Sequence, residues 1–391
     1  MSILELANEY NAEAIALRRN LHRNPELSGQ EFETTALIRT ELEKYGICIL
    51  KTNLTTGLIA KIGLGRSEKT LMLRADIDAL PMTEESGLSF ASEQPGRCHS
   101  CGHDLHTAAL LTCAKILKKA EAQIAGTILF VFQPAEENFG GAKSVCETGI
   151  FERYHPQMIV GLHTWPDLPA GTVGLKKGPF MAASDLLTIT VTGKNGHAAH
   201  PHKAIDPIMV SGYLITALQT IVSRNVAPLD SAVITIGKMT AGTAANVIPE
   251  RAVLEGSVRT ADPEVQNAVE QRLRTLLPSI AEGFGAECTV DYIKGTPAVV
   301  NDTATVELLQ RAAQQVLSPD QIVFLEKPSM GSEDFATYLQ RIPGAIFRIG
   351  TSNEQLNSHC ALHNAKIIFD EQAIMTGASV LSQFSQEFFK I

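Results

Sequence analysis

Apolar positions in the first part of the chain recur at helical spacing, over residues 4 to 22 and again from about Glu31 to Tyr45, with Arg23-Asn24-Pro25-Glu26 breaking the two. The period then changes. Thr70–Ala75, Gly126–Phe132 and Met158–Leu162 are short, nearly continuous apolar runs, the pattern of strands buried on both faces, and they alternate with helical segments such as Leu105 to Ala122. That alternation predicts an α/β domain built on a mainly parallel sheet. Polar groups follow each run: Asp76 and Asp78 the first, Glu136 and Glu137 the second, His163 the third. Open α/β sheets bind ligands at the carboxyl ends of their strands, so these groups are expected to converge on one rim.

The middle of the chain has another rhythm. A strand pattern at Leu186–Val191 leads into a Gly/His/Pro-rich loop from Gly193 to Pro207 and a helical pattern from Ile208 to Arg224. Strand patterns at Ser231–Lys238 and Ala252–Arg259, a helix near 263–283 and a strand near 287–293 complete it. The order strand, helix, strand, strand, helix, strand predicts a ferredoxin-like α+β unit inserted at 183–294. The first domain is then discontinuous, 1–182 plus 295–391. No internal repeat or low-complexity tract interrupts either.

A length of 391 residues at 45% hydrophobic content suits two domains better than one core. The formal charge of −9, with only short basic clusters, argues against a nucleic-acid or anionic-membrane partner. No run approaches the roughly 18 apolar residues of a membrane span, and Met1–Glu5 lacks a charged start followed by an apolar stretch, so a cytoplasmic location is expected. Seven cysteines at irregular spacing do not suggest a disulfide framework. Cys101 is therefore available as a ligand.

The candidate chemistry begins at Cys101-Gly102-His103-Asp104. An i, i+2 pair on extended chain points both side chains to one side, Gly102 permits a tight turn, and a helix starting near Asp104 brings a positive end that favours a thiolate. An inert buried cysteine beside an unrelated histidine fits this motif equally well. Glu136 and Glu137, directly after Gln133-Pro134-Ala135, read either as a solvated surface pair or as one carboxylate for a metal and one for proton transfer, and their place after a buried apolar run favours the second. His163 and His363, each taken alone, read more readily as structural histidines. Asp78 reads as a group orienting a ligand histidine or as a plain turn residue. Ser332 reads as a helix N-cap with Glu333 and Asp334 in the first turn, and His22, His106 and His200 as structural or peripheral. Thiol, imidazole and carboxylate together suit a borderline divalent cation, and the ensemble predicts a metal-dependent amide hydrolase.

Ordered motifs run nearly end to end: Leu21–Leu27, Arg74–Pro81, Cys101–Asp104, Phe132–Glu137, Gly161–His163, Gly193–His197, Asn246–Pro249 and Gly331–Phe335. In these the chain resembles the M20 metallopeptidases, in particular the aminoacylase, hippurate-hydrolase and auxin-conjugate-hydrolase branch. The resemblance implies a zinc-exopeptidase-like catalytic domain with an inserted lid that also forms homo-oligomer contacts, as a dimer or tetramer. It implies two divalent cations, manganese foremost with zinc, cobalt or nickel as alternates, held by Cys101, His103, Glu137, His163 and His363. Glu136 becomes the catalytic base, His197 stabilises the carbonyl oxygen in cis or from a second subunit, and Asn246 and Arg259 hold the carboxylate of an N-acyl amino acid. Two departures stand out. Ala365 occupies a position where the family usually has proline, with His359 a competitor to His363, and Asn195 replaces a glycine where a left-handed backbone is tolerated. Rival readings are a metallo-dipeptidase or carboxypeptidase, a metal- or solute-binding protein without catalysis, and a hydrolase using Cys101 as nucleophile.

Overall fold

The computed structural model describes residues 2–356 and 360–390. The chain divides into two compact units, one of Met1–Gly178, Asn301–Glu326 and Thr337–Ile391, the other of Pro179–Val300 and Lys327–Ala336.

The first unit is built on an eight-stranded sheet, in the order Cys48–Ile49, Leu58–Ile62, Thr127–Gln133, Thr70–Asp76, Met158–Pro169, Gly344–Ser352, Val173–Leu175 and Ile322–Phe324. The four central strands pair in parallel. All seven residues of Thr70–Asp76 are buried, which explains the absence of polar alternation: both faces are covered. The helix His103–Lys119 is buried from His103 to Leu117 and packs against Ile3–Arg23 and Gln372–Lys390. It begins two residues before the apolar pattern suggests. Leu58–Ile62 joins the sheet antiparallel, between Cys48–Ile49 at the edge and Thr127–Gln133, and its five residues carry no distinctive period. Among the described residues no helix is long and apolar enough to cross a membrane.

The second unit has a four-stranded antiparallel sheet in the order Ala232–Ala241, Arg251–Thr260, Ala183–Thr192, Glu287–Thr296. With helices Pro207–Asn225 and Pro263–Gly283 this is the ferredoxin-like order. Ala183–Thr192 buries every second residue, so Leu187, Ile189 and Val191 meet Leu214, Leu218, Leu273 and Leu277 in one core. Both helices start with proline after a capping aspartate: Asp206 accepts from the Ile208 amide and Asp262 from the Glu264 amide. Lys327–Ala336, expected with the first domain, belongs here. The Ala182 amide donates to the carbonyls of Ser329 and Gly331, and the Ser329 amide donates to the Phe180 carbonyl. Pairing across some 150 residues leaves no local pattern to read.

Candidate active site

The polar groups at the carboxyl ends of the central strands occupy one edge of the first unit's sheet. Asp76 is the last residue of its strand, Asp78 lies two further on, and Glu136–Glu137 follow the turn after Thr127–Gln133. His163 sits inside the long strand Met158–Pro169, and His103 is the first residue of its helix. Cys101 and His103 are not on extended chain as the sequence suggests. Gly102 between them has φ +87°, and a Cβ there would lie 2.6 Å from the Thr164 hydroxyl, so only glycine fits.

Five of the sequence-singled residues come together. The Cys101 sulfur is 3.5 Å from His163 Nε2 and 3.4 Å from His363 Nε2. Glu137 Oε1 is 3.4 Å from His363 Nε2 and 3.9 Å from His103 Nε2. Donors bonded at about 2.0–2.3 Å around one tetrahedral ion are ~3.3–3.8 Å apart, so the three shorter gaps suit a shared cation. The donors form overlapping groups, Cys101/His103/His163 and Cys101/Glu137/His363, and a third, His103/Glu136/Glu137, brings in Glu136. His103 Nε2 and Glu137 Oε1 are buried without a hydrogen-bond partner, a costly condition that a bound cation would relieve.

A second layer of contacts aims these donors. His103 Nδ1 donates to Asp78 Oδ1 at 3.2 Å, which turns Nε2 toward the cluster. The other Asp78 oxygen accepts from Ser28 Oγ at 2.6 Å and from the Glu137 amide at 3.0 Å. His163 Nδ1 donates to the Thr164 carbonyl at 2.8 Å, leaving Nε2 facing Cys101. His106, expected to be peripheral, lies with its ring centroid 4.8 Å from that of His163. Its Nε2 accepts the Thr164 amide at 2.8 Å, so Nδ1 carries the proton and donates to Asp76 Oδ1 at 2.5 Å. Arg74 Nη1 donates to the second Asp76 oxygen at 2.7 Å. With both ring nitrogens engaged, His106 is a support and not a donor. Its spacing of three from His103, on one helix face, is the sequence signal that could have flagged it.

The electrostatics follow from burial. Burial pushes the Cys101 thiol well above its usual range, and the carboxylates of Glu137, Glu136 and Asp76 add to the shift. At His103 burial opposes the charge, but Asp76, Asp78 and Glu137 outweigh it and raise the imidazole to about 10. Burial, with His106 and Arg348 nearby, holds His163 well below its usual value and keeps it neutral.

His363 is exposed, with φ +62°, and its amide donates to the Ser100 carbonyl at 3.0 Å. Two residues on, Ala365 accepts the Glu85 amide at 2.7 Å, anchoring this loop without a proline. His359 lies outside the described residues. In the second unit, His197 is exposed and its Nδ1 accepts the Ala199 amide at 3.0 Å. Asn246 is exposed and its carbonyl accepts the Ala198 amide at 3.1 Å. Arg259 Nη1 donates to Ser332 Oγ at 2.5 Å, and that hydroxyl donates to the Ala182 carbonyl at 2.9 Å. Ser332 is thus not the expected helix cap; the helix begins only at Ala336. Asn195 is absent from the non-glycine residues with positive φ, so the turn there does not use a left-handed asparagine.

Residues 72–387 match the model of peptidase family M20/M25/M40. The chain belongs to this family. Among its relatives in it are an N-acetyl-L-cysteine deacetylase of Bacillus subtilis (strain 168), 45% identical over 94% of this chain and 86% of that protein. An N-acetyldiaminopimelate deacetylase of the same organism is 41% identical over 95% of this chain and 97% of its own length. Of the solved family structures, the Bacillus subtilis YXEP protein, described as a dinuclear metal-binding peptidase, superimposes with a TM-score of 0.88 at 37% identity, covering 98% of this chain and 99% of that one.

Proposed function

We propose that this chain hydrolyses the amide bond of N-acyl amino acids, releasing a carboxylic acid and a free amino acid. One observation carries the proposal: sulfur, nitrogen and oxygen donors, buried or half-buried save for the exposed His363, at mutual distances of 3.4–3.9 Å, two of their atoms buried without a hydrogen-bond partner, with a further glutamate adjoining them. Cys101, His103, Glu137, His163 and His363 would hold two divalent cations, with manganese the first choice among manganese, zinc, cobalt and nickel. Bound there, the cations supply Lewis-acid polarisation of the amide carbonyl and acidify a water. Glu136, buried beside Glu137, accepts the proton of the attacking water and returns it to the departing amine nitrogen. Asp78 fixes the tautomer and heading of His103. In the second unit, His197 donates to the developing oxyanion, and Asn246 and Arg259 take the substrate carboxylate. The relatives named for N-acetylated amino acids support this substrate class over a peptidase reading. Exposed Ile208, Met209 and Tyr213 on one helix of the second unit support assembly into a homo-oligomer through that unit.

The test is a substrate panel. The purified chain, loaded separately with manganese, zinc, cobalt or nickel, is assayed against N-acetyl, N-benzoyl and longer N-acyl amino acids and against dipeptides. N-acyl amino acids should have the highest kcat/KM, and a chelator should abolish turnover until metal is restored. Dipeptides cleaved faster than every N-acyl substrate would move the reading to a peptidase, and chelator-resistant turnover would move it to a Cys101 nucleophile.

A further inference from the structure

The turn that delivers Glu136 and Glu137 depends on a residue outside the donor cluster. Ala135, just before them, has φ +53°, the left-handed region that a residue with a Cβ rarely adopts. Its amide donates at 2.7 Å to Oε1 of Glu31, a carboxylate with no solvent exposure from 104 residues earlier in the chain. The other Glu31 oxygen accepts from Thr56 Oγ1 at 2.7 Å.

Glu31 occupies the N-cap position of the helix Phe32–Lys44, yet its side chain makes no capping bond there. Glu26 does that work: its carboxylate accepts the amides of Glu33 and Thr34 at 3.2 and 2.8 Å. Glu31 is thereby left for Ala135. The surroundings hold it rigidly. Thr35 Oγ1 donates to the Glu31 carbonyl and accepts the Gly57 amide at 2.7 Å. Gly57 in turn lies so close to the turn that a Cβ would fall 2.5 Å from Pro134 Cδ.

We propose that Glu31 is a positioning residue for the reaction, holding Ala135 in the left-handed conformation that aims Glu136 at the reacting atoms. This rests on the functional reading above. Glu137 has its own anchor, its amide on Asp78, so loss of Glu31 should disturb Glu136 and proton transfer more than metal binding.

The experiment is a rescue. Glu31→Ala should lower kcat about 10²-fold, the scale of a small misplacement of a reacting group, with KM within about threefold and metal per chain, read by plasma mass spectrometry, unchanged. Adding Ala135→Gly should recover roughly tenfold or more, because glycine takes positive φ unaided. Glu31→Gln keeps an acceptor for the Ala135 amide and should stay within about threefold of the parent. Ala135→Val, with Glu31 intact, should lose kcat while keeping metal, and it carries the test should Glu31→Ala not fold. Parental kcat in Glu31→Ala or Ala135→Val, or a double variant no better than Glu31→Ala, overturns the proposal. An inactive Glu136→Gln beside an intact Glu31→Ala sinks this inference alone, whereas an active Glu136→Gln sinks the assigned base.

Discussion

His103 and His197 stand in opposite surroundings, and the contrast runs through their whole neighbourhoods. His103 is fully buried, with Nδ1 committed to Asp78, and its neighbours Asp76, His106 and Arg74 are tied into the same buried chain of hydrogen bonds. His197 is exposed on the two-residue strand Gly196–His197, where its Nδ1 accepts the amide two residues on. Buried polar groups are tolerated only when paired, so folding itself sets the heading of the donors in the first unit. An exposed side chain has no such constraint. Its orientation is left to whatever it binds, and its loss should cost activity without costing the fold.

The largest effect that would sharpen this contrast lies at Glu136. Replacing it by glutamine removes the proton acceptor while keeping shape, and kcat should fall roughly 10²–10⁴-fold with bound metal retained. Steady-state kinetics and metal analysis on the same preparation check it; near-parental turnover would remove Glu136 from the mechanism. Next comes His197→Ala, expected to cost about 10²–10³-fold in kcat, as loss of one oxyanion donor does, with the melting temperature unchanged. A lowered melting temperature there would break the contrast, because it would make the exposed histidine part of the fold's support. The smallest effect is at Asp78. Asp78→Ala takes the acceptor from His103 and from the Glu137 amide, and metal affinity should drop about 10–100-fold by calorimetric titration. Unchanged affinity would mean that the donors keep their headings without this carboxylate.

Much of the fold was legible because it is local. The buried runs Thr70–Ala75 and Met158–Leu162, and the helix Pro263–Gly283 with its capping Asp262, declare themselves in spacing and punctuation within a few residues. Leu58–Ile62 and Lys327–Ala336 did not, since each takes its place by pairing with a partner distant in the chain. The chemistry divides likewise. Cys101, His103 and Glu136–Glu137 attract notice by residue type and by their place after strands. His106 and Thr164, which hold His163 in place, look ordinary in isolation.

Residue order alone determined which side chains end the central strands and that the middle of the chain follows a different period, because hydrophobic burial repeats with the backbone geometry of each element. Only the tertiary structure decided that Cys101 and His363, 262 residues apart, lie in contact, that His106 supports and does not coordinate, and that Glu31 reaches Ala135 instead of its own helix. Those outcomes turn on which buried donor finds which acceptor across the fold, and such a pairing has no period along the chain.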